Sequence, residues 1–177
     1  LRGELPNILK QCNASGLLVT HDPEEAMAIC DKVAVMNEGE IHQIDKPQQI
    51  INNPKSLFVS SFILSNNILK ITTHRNSFLS VIGSISFNNL DQIKKVKYLS
   101  ISPKSLSIKV SKDGEGKIIA KEFLGEFYIY KVCIGNINLR IRTNIKDNLI
   151  IGKKCNVLFK KGSEVFLFPG GYKREVL

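Results

Sequence analysis

Two rhythms of apolar residues divide this chain. From about residue 66 onward, short apolar-rich runs recur with turn residues between them. Ile137, Leu139 and Ile141 alternate there with Asn138, Arg140 and Arg142, the period of a strand with one buried and one wet face. On this pattern strands are expected at 78–82, 84–87, 96–101, 106–110, 117–124, 127–134, 137–142, 154–159 and 165–168, with Gly135-Asn136 as a tight hairpin turn. Many short strands at close spacing predict a small barrel or sandwich.

Before residue 66 the rhythm mixes α and β. Leu17-Leu18-Val19 is a continuous apolar run, as expected of a strand covered on both faces in a mostly parallel sheet. Asp22 suits an N-cap, Pro23 the first helical position and Glu25 the capping-box partner, so a helix should start at Asp22 or Pro23. An apolar strand over Val33 to Met36, a turn at Asn37-Glu38-Gly39-Glu40, a second strand over Ile41 to Ile44 and a helix opened by Pro47 follow. A short helix from Pro54 to about Ile63 carries Leu57, Phe58 and Phe62, whose expected role is packing between two units.

Charge sharpens the division. Residues 1–62 hold five Lys and Arg against eight Asp and Glu, a balance of −3, whereas residues 63–177 hold twenty against eight, a balance of +12. The boundary is expected near Ser65-Asn66-Asn67, giving units 1–65 and 66–177. No apolar run is long enough to span a membrane, and no basic segment leads into an apolar one at the N-terminus. Cys12, Cys30, Cys133 and Cys155 show no C-x-x-C spacing, so reduced structural thiols are expected and no metal ligands are assigned. His42 and His74 lack a clustered carboxylate, tyrosine or second histidine and read as surface residues.

The candidate chemistry centres on His21. It lies at the carboxyl end of the expected strand, where ligands collect in open α/β sheets. A neutral imidazole there can donate to a phosphate oxygen through one nitrogen and accept through the other. Local hydrogen bonding beside the helix start is the alternative role.

From Thr20-His21-Asp22 through Asp31-Lys32-Val33-Ala34-Val35-Met36 to Gly39, Gln43, Pro47 and Pro54, the order of residues resembles the ATP-binding subunits of ABC importers, in the branch handling ferric iron, polyamines, maltose and sulfate. His21 falls on that family's switch histidine. Further on, Ile101-Ser102-Pro103-Lys104-Ser105-Leu106, Gly116 to Ala120, Phe123-Leu124-Gly125-Glu126, Gly152 and Val165-Phe166-Leu167-Phe168-Pro169 resemble its accessory TOBE (transport-associated OB) domain. Ser102 and Lys104 depart from the usual Arg and Glu, and Leu64 stands where the linker usually has Gly. The fold implied is an α/β fragment, the C-terminal part of a P-loop NTPase domain over 1–65, followed by an all-β OB-like barrel domain over 66–177.

The resemblance implies ATP and Mg²⁺ as cofactors of the full-length subunit, with His21 as both catalytic and nucleotide-contacting residue. It also implies a homodimer, transmembrane permease subunits as partners, and a peripheral position on the cytoplasmic face of the inner membrane. Ferric iron is the favoured solute, on the likeness of Ala28-Ile29-Cys30-Asp31 and Ile41-His42-Gln43 to iron-importer subunits. Yet the sequence holds no Gly-x-x-x-x-Gly-Lys, no Leu-Ser-Gly-Gly-Gln and no hydrophobic run ending in paired carboxylates. Leu1-Arg2-Gly3-Glu4-Leu5 resembles the helix that follows the family's Walker B region, so a fragment of a longer subunit, or a truncated or split gene product, is expected. Phosphoryl transfer needs several groups acting together, so the chain alone should not hydrolyse ATP. A different reading is a stand-alone OB-like regulatory or scaffold module, with 1–65 poorly ordered and Leu17 to Val19 a sticky edge. Tyr128, Tyr130 and Lys131, Phe159-Lys160-Lys161, and Arg140 with Arg142 offer candidate stacking and phosphate contacts, but thinly spread lysines usually mark solvated faces and no nucleic-acid partner is expected.

Overall fold

The computed structural model describes residues 4–74, 77–87, 95–170 and 172–176. The chain forms two compact units, Leu1–Leu64 and Ser65–Leu177.

In the first unit, helix α1 spans Leu5–Gln11 and α2 spans Pro23–Ile29. Leu1 to Gly3, part of the Leu-Arg-Gly-Glu-Leu match, lie outside the described residues. Strands β1 (Val33–Asn37) and β2 (Glu40–Asp45) pair antiparallel, and helices α3 (Pro47–Asn52) and α4 (Leu57–Leu64) follow. The hairpin turn places both Glu38 and Gly39 at positive φ, 50° and 82°, the geometry of a type I′ turn. Val33 and Val35 face inward and meet Ile50 of α3 and Val59 of α4, with Ala26 and Met27 of α2 packed against them. Helix α4 starts three residues later than Pro54 because Ser56 caps it, its Oγ accepting from Val59 N–H at 3.2 Å. Phe58 packs against this unit's own small core, while Phe62 stacks on Phe58 at 5.2 Å and stays 44% exposed.

The expected strand at Leu17 to Val19 does not form. The segment has no regular structure, no described residue pairs with it, and Leu17 and Val19 are 93% and 88% exposed. A strand exists only where a neighbour takes its N–H and C=O groups, and a buried parallel strand needs one on each side.

The second unit is β throughout. Strands β3 (Asn67–Lys70), β7 (Tyr98–Ile101), β13 (Glu164–Phe168) and β14 (Tyr172–Glu175) form a four-stranded sheet in the order β14-β13-β7-β3. Strands β4 (Thr72–His74), β5 (Ser77–Ser80) and β6 (Gly83–Ile85) form a small meander. Strands β8 (Leu106–Val110), β9 (Gly116–Phe123), β10 (Phe127–Ile134), β11 (Ile137–Asn144) and β12 (Lys154–Phe159) make a five-stranded sheet in the order β11-β10-β9-β12-β8. The inward faces of all three sheets share one core, including Leu69, Phe78, Leu99, Ile118, Tyr130 and Ile141.

Most expected strands lie within one or two residues of the observed ones, and Gly135, at φ 58°, opens a two-residue turn between Ile134 and Ile137. Strands β3, β4 and β14 were not expected, being short and rich in polar residues. The expected barrel is also not closed. Every ladder in the five-stranded sheet is antiparallel, so β8 and β11 at its two ends run parallel to one another, and they form no ladder together.

Candidate functional site

His21 owes its position to the residues on either side of it. Asp22 N–H donates to Thr20 Oγ1 at 3.1 Å, which closes a small turn around the histidine. The Asp22 carboxylate in turn accepts from Glu24 N–H at 2.9 Å and Glu25 N–H at 3.4 Å, with Pro23 at the first position of α2. The cap therefore sits where expected and contributes about 1 kcal/mol. Because Asp22 occupies these helix donors, an incoming phosphate would have to displace it to use them. His21 is exposed, between the Leu17–Val19 run and the start of α2.

One exposed imidazole cannot assemble a nucleotide site. Among the described residues no group of three or more His, Cys, Asp or Glu side chains is placed to hold a metal ion, so they offer Mg²⁺ no cage of their own. No helix among the described residues is long and apolar enough to cross a membrane.

Several sequence readings need correction. His42 is half-buried rather than a plain surface residue: its Nδ1 lies 3.0 Å from Ser56 Oγ, and its ring tilts against Phe58 at 5.0 Å. The His74 side chain lies outside the described residues. Tyr130 cannot serve as a stacking platform, being fully buried. Its hydroxyl donates to Asp147 O and accepts from Leu149 N–H, each at 2.9 Å, and so pins the loop after β11. Tyr128 is half-buried against Phe123 at 5.2 Å with Lys121 Nζ 4.0 Å over its ring. The guanidinium of Arg142 lies 3.7 Å over Phe127.

Two buried polar side chains carry structural work that the sequence did not announce. Gln43 donates to Asn53 O at 3.1 Å and accepts from Lys55 N–H at 2.9 Å, tying β2 to the α3–α4 connection. Asn67 accepts from Arg140 N–H at 2.7 Å and donates to Arg140 O at 2.8 Å, so its amide stands in for a paired strand on the open side of β11. Gln43 is one of the positions that carry the importer resemblance, but its bonds reach 10 and 12 residues on, and those of Asn67 reach 73.

The sequence matches no family model. It is similar, however, to import ATP-binding proteins of two kinds. One is the Fe(3+) ions import ATP-binding protein FbpC of Fusobacterium nucleatum, 34% identical over 178 residues that cover 94% of this chain and 46% of that protein. The other kind is the spermidine/putrescine import ATP-binding protein PotA. The protein of Aster yellows witches'-broom phytoplasma is 30% identical over 159 residues, 88% of this chain and 38% of its own length. That of Bacillus thuringiensis is 49% identical over 70 residues, 40% of this chain and 21% of its own length. The chain spans less than half the length of these curated relatives, and their names agree with the class its motifs resemble.

Proposed function

We propose that this chain is the C-terminal part of an ATP-binding subunit of an ABC importer, with His21 as its contribution to the nucleotide site. In this reading residues 1–65 are the end of the ATPase domain and 66–177 are a TOBE domain of OB-like type. The observation that carries it is the exposed His21, locked between Thr20 and the Asp22-capped start of α2, in a chain similar over 94% of its length to an import ATP-binding protein.

Bound Mg²⁺-ATP supplies the phosphoryl group to be transferred. His21 would donate a hydrogen bond to an oxygen of the terminal phosphate and link the attacking water to residues across the dimer. The phosphate cradle and the metal ligands belong to a portion of the subunit outside these residues. The whole subunit works as a homodimer beneath transmembrane permease subunits on the cytoplasmic face of the membrane. Ferric iron is the favoured solute, supported by the similarity over 94% of this chain to an Fe(3+) ions import ATP-binding protein, with polyamines second.

The test is His21→Ala in the complete subunit that contains this sequence. Turnover of ATP should fall about 10²–10³-fold, the usual loss for one transition-state donor, with nucleotide binding retained. Unchanged turnover overturns the role of His21. The 177-residue chain alone should show no ATPase activity sensitive to the same substitution.

A further inference from the structure

The outward face of the five-stranded sheet is basic to a degree that its own packing does not call for. Tyr130, Val132 and Ile134 of β10 turn into the core, so Lys131 and Cys133 turn out. The register carries the same face across the neighbouring strands. Lys131 stands opposite Arg140 of β11, Cys133 opposite Lys117 of β9, Lys117 opposite Lys154 of β12, and Asn156 of β12 opposite Lys109 of β8. Arg142, two residues beyond Arg140, completes a set of six exposed cations. Glu122 is the single carboxylate on the strands of this face, and Asp113 and Glu115 lie in the turn before β9. Among the described residues none of the six cations is in an ion pair. Two like-charged pairs, Lys131 with Arg140 and Lys117 with Lys154, sit directly opposite one another across strands, an arrangement that costs stability. An anion brought from outside relieves that repulsion.

We propose that this face docks on an anionic lipid bilayer. The sheet is five strands wide, roughly 20 Å across, and presents its cations as a two-dimensional array. Anionic headgroups form a plane of negative charge that attracts each nearby Lys or Arg. Leu158, 45% exposed on the same face, adds an aliphatic contact. A nucleic acid fits less well. A single strand needs aromatic rings to stack on, but Phe127, on this face, already carries the Arg142 guanidinium at 3.7 Å, and Tyr128 and Tyr130 turn to the opposite side. A duplex groove admits one helix or a two-stranded ribbon, which is narrower than this sheet. The inference uses strands β8 to β12 alone and does not depend on the importer reading.

The full chain is cosedimented with vesicles of equal parts phosphatidylglycerol and phosphatidylcholine, and with vesicles of phosphatidylcholine alone. At about 0.1 M NaCl, binding to the anionic vesicles only is expected, with release at about 1 M, where the screening length falls to roughly 3 Å. The double variant Lys117→Glu, Lys131→Glu should bind at least tenfold more weakly. It turns both like-charged pairs into opposite ones, so its thermal midpoint should not fall, which reports that it is folded. Lys146→Glu, Lys161→Glu makes the same change of net charge in turns outside the face and should bind within about twofold of the unaltered chain. No binding to the anionic vesicles, equal binding to the neutral ones, unaltered affinity in the first variant, or equal loss in both variants would each overturn the proposal. So would binding to a DNA duplex that is tighter than to the vesicles and is lost in the first variant alone.

Discussion

The two units solve the burial problem to different degrees. Among the described residues the second brings twenty buried side chains, sixteen of them from its three sheets, into one core, whereas the first encloses four, Val33, Val35, Ile50 and Val59, and leaves Leu17 and Val19 almost wholly in water. Both follow most of their local sequence signals, the Leu17–Val19 strand being the exception. What separates them is the supply of partners: the second unit finds a neighbour for nearly every inward-facing strand, and the Leu17–Val19 segment of the first finds none among the described residues. Apolar patterning specifies which face wants burial, and only a second element can provide it.

That contrast can be broken by paired truncations. Leu139→Ala in β11 and Ile50→Ala in α3 each empty a fully buried site. A loss of about 2–5 kcal/mol is expected for the first, with the second near the low end, because a four-residue core relaxes more readily around a void. Urea unfolding followed at probes in each unit measures both, and a reversed order would remove the contrast.

Asp22→Ala probes the best-defined local feature of the first unit. The expected cost is about 1 kcal/mol, confined to probes of that unit. Loss of stability in the second unit would show that the two unfold together.

Alkaline pH acts on the second unit through Cys155, which is fully buried, and burial pushes its thiol above the ordinary 9.0. The folded state keeps the proton longer than the unfolded chain does. The stability this gives is complete below pH 9.0 and drains away as pH rises through the folded value. Cys155 should therefore resist a thiol reagent in the folded protein while exposed Cys12 reacts at once.

The smallest expected effect tests the exposed strip. Val19→Lys should change stability by no more than about 0.5 kcal/mol, since the residue packs on nothing, yet should reduce self-association seen by sedimentation.

Local signals were legible wherever the physics is local. The Asp22-Pro23 start of α2, the Asn37–Glu40 turn and the Gly135-Asn136 hairpin depend on caps and φ angles that neighbouring residues dictate. Strand β3 was hidden because Asn67, its first residue, earns its place through a bond to Arg140, 73 positions away. Tyr130 is hidden for a related reason: a Tyr-x-Tyr-Lys string offers a candidate stacking contact on sequence alone, and only its burial and its bond to the carbonyl of Asp147 remove it. His42 looked superficial because Ser56 and Phe58, which shelter it, lie on the far side of a helix and a turn. Of the candidate site, the Asp22-Pro23 helix start beside His21 could be read directly, and the bond from Asp22 N–H to Thr20 Oγ1 that closes the turn around it could not.

The strip from Leu17 to Val19 also carries a message for the cell that makes this polypeptide. Unpaired amides flanked by aliphatic side chains are what folding helpers and degradative enzymes sample first when they decide a molecule's fate. The lifetime of the whole chain would then be set by how quickly those three residues are covered, and much less by the well-filled barrel-like half.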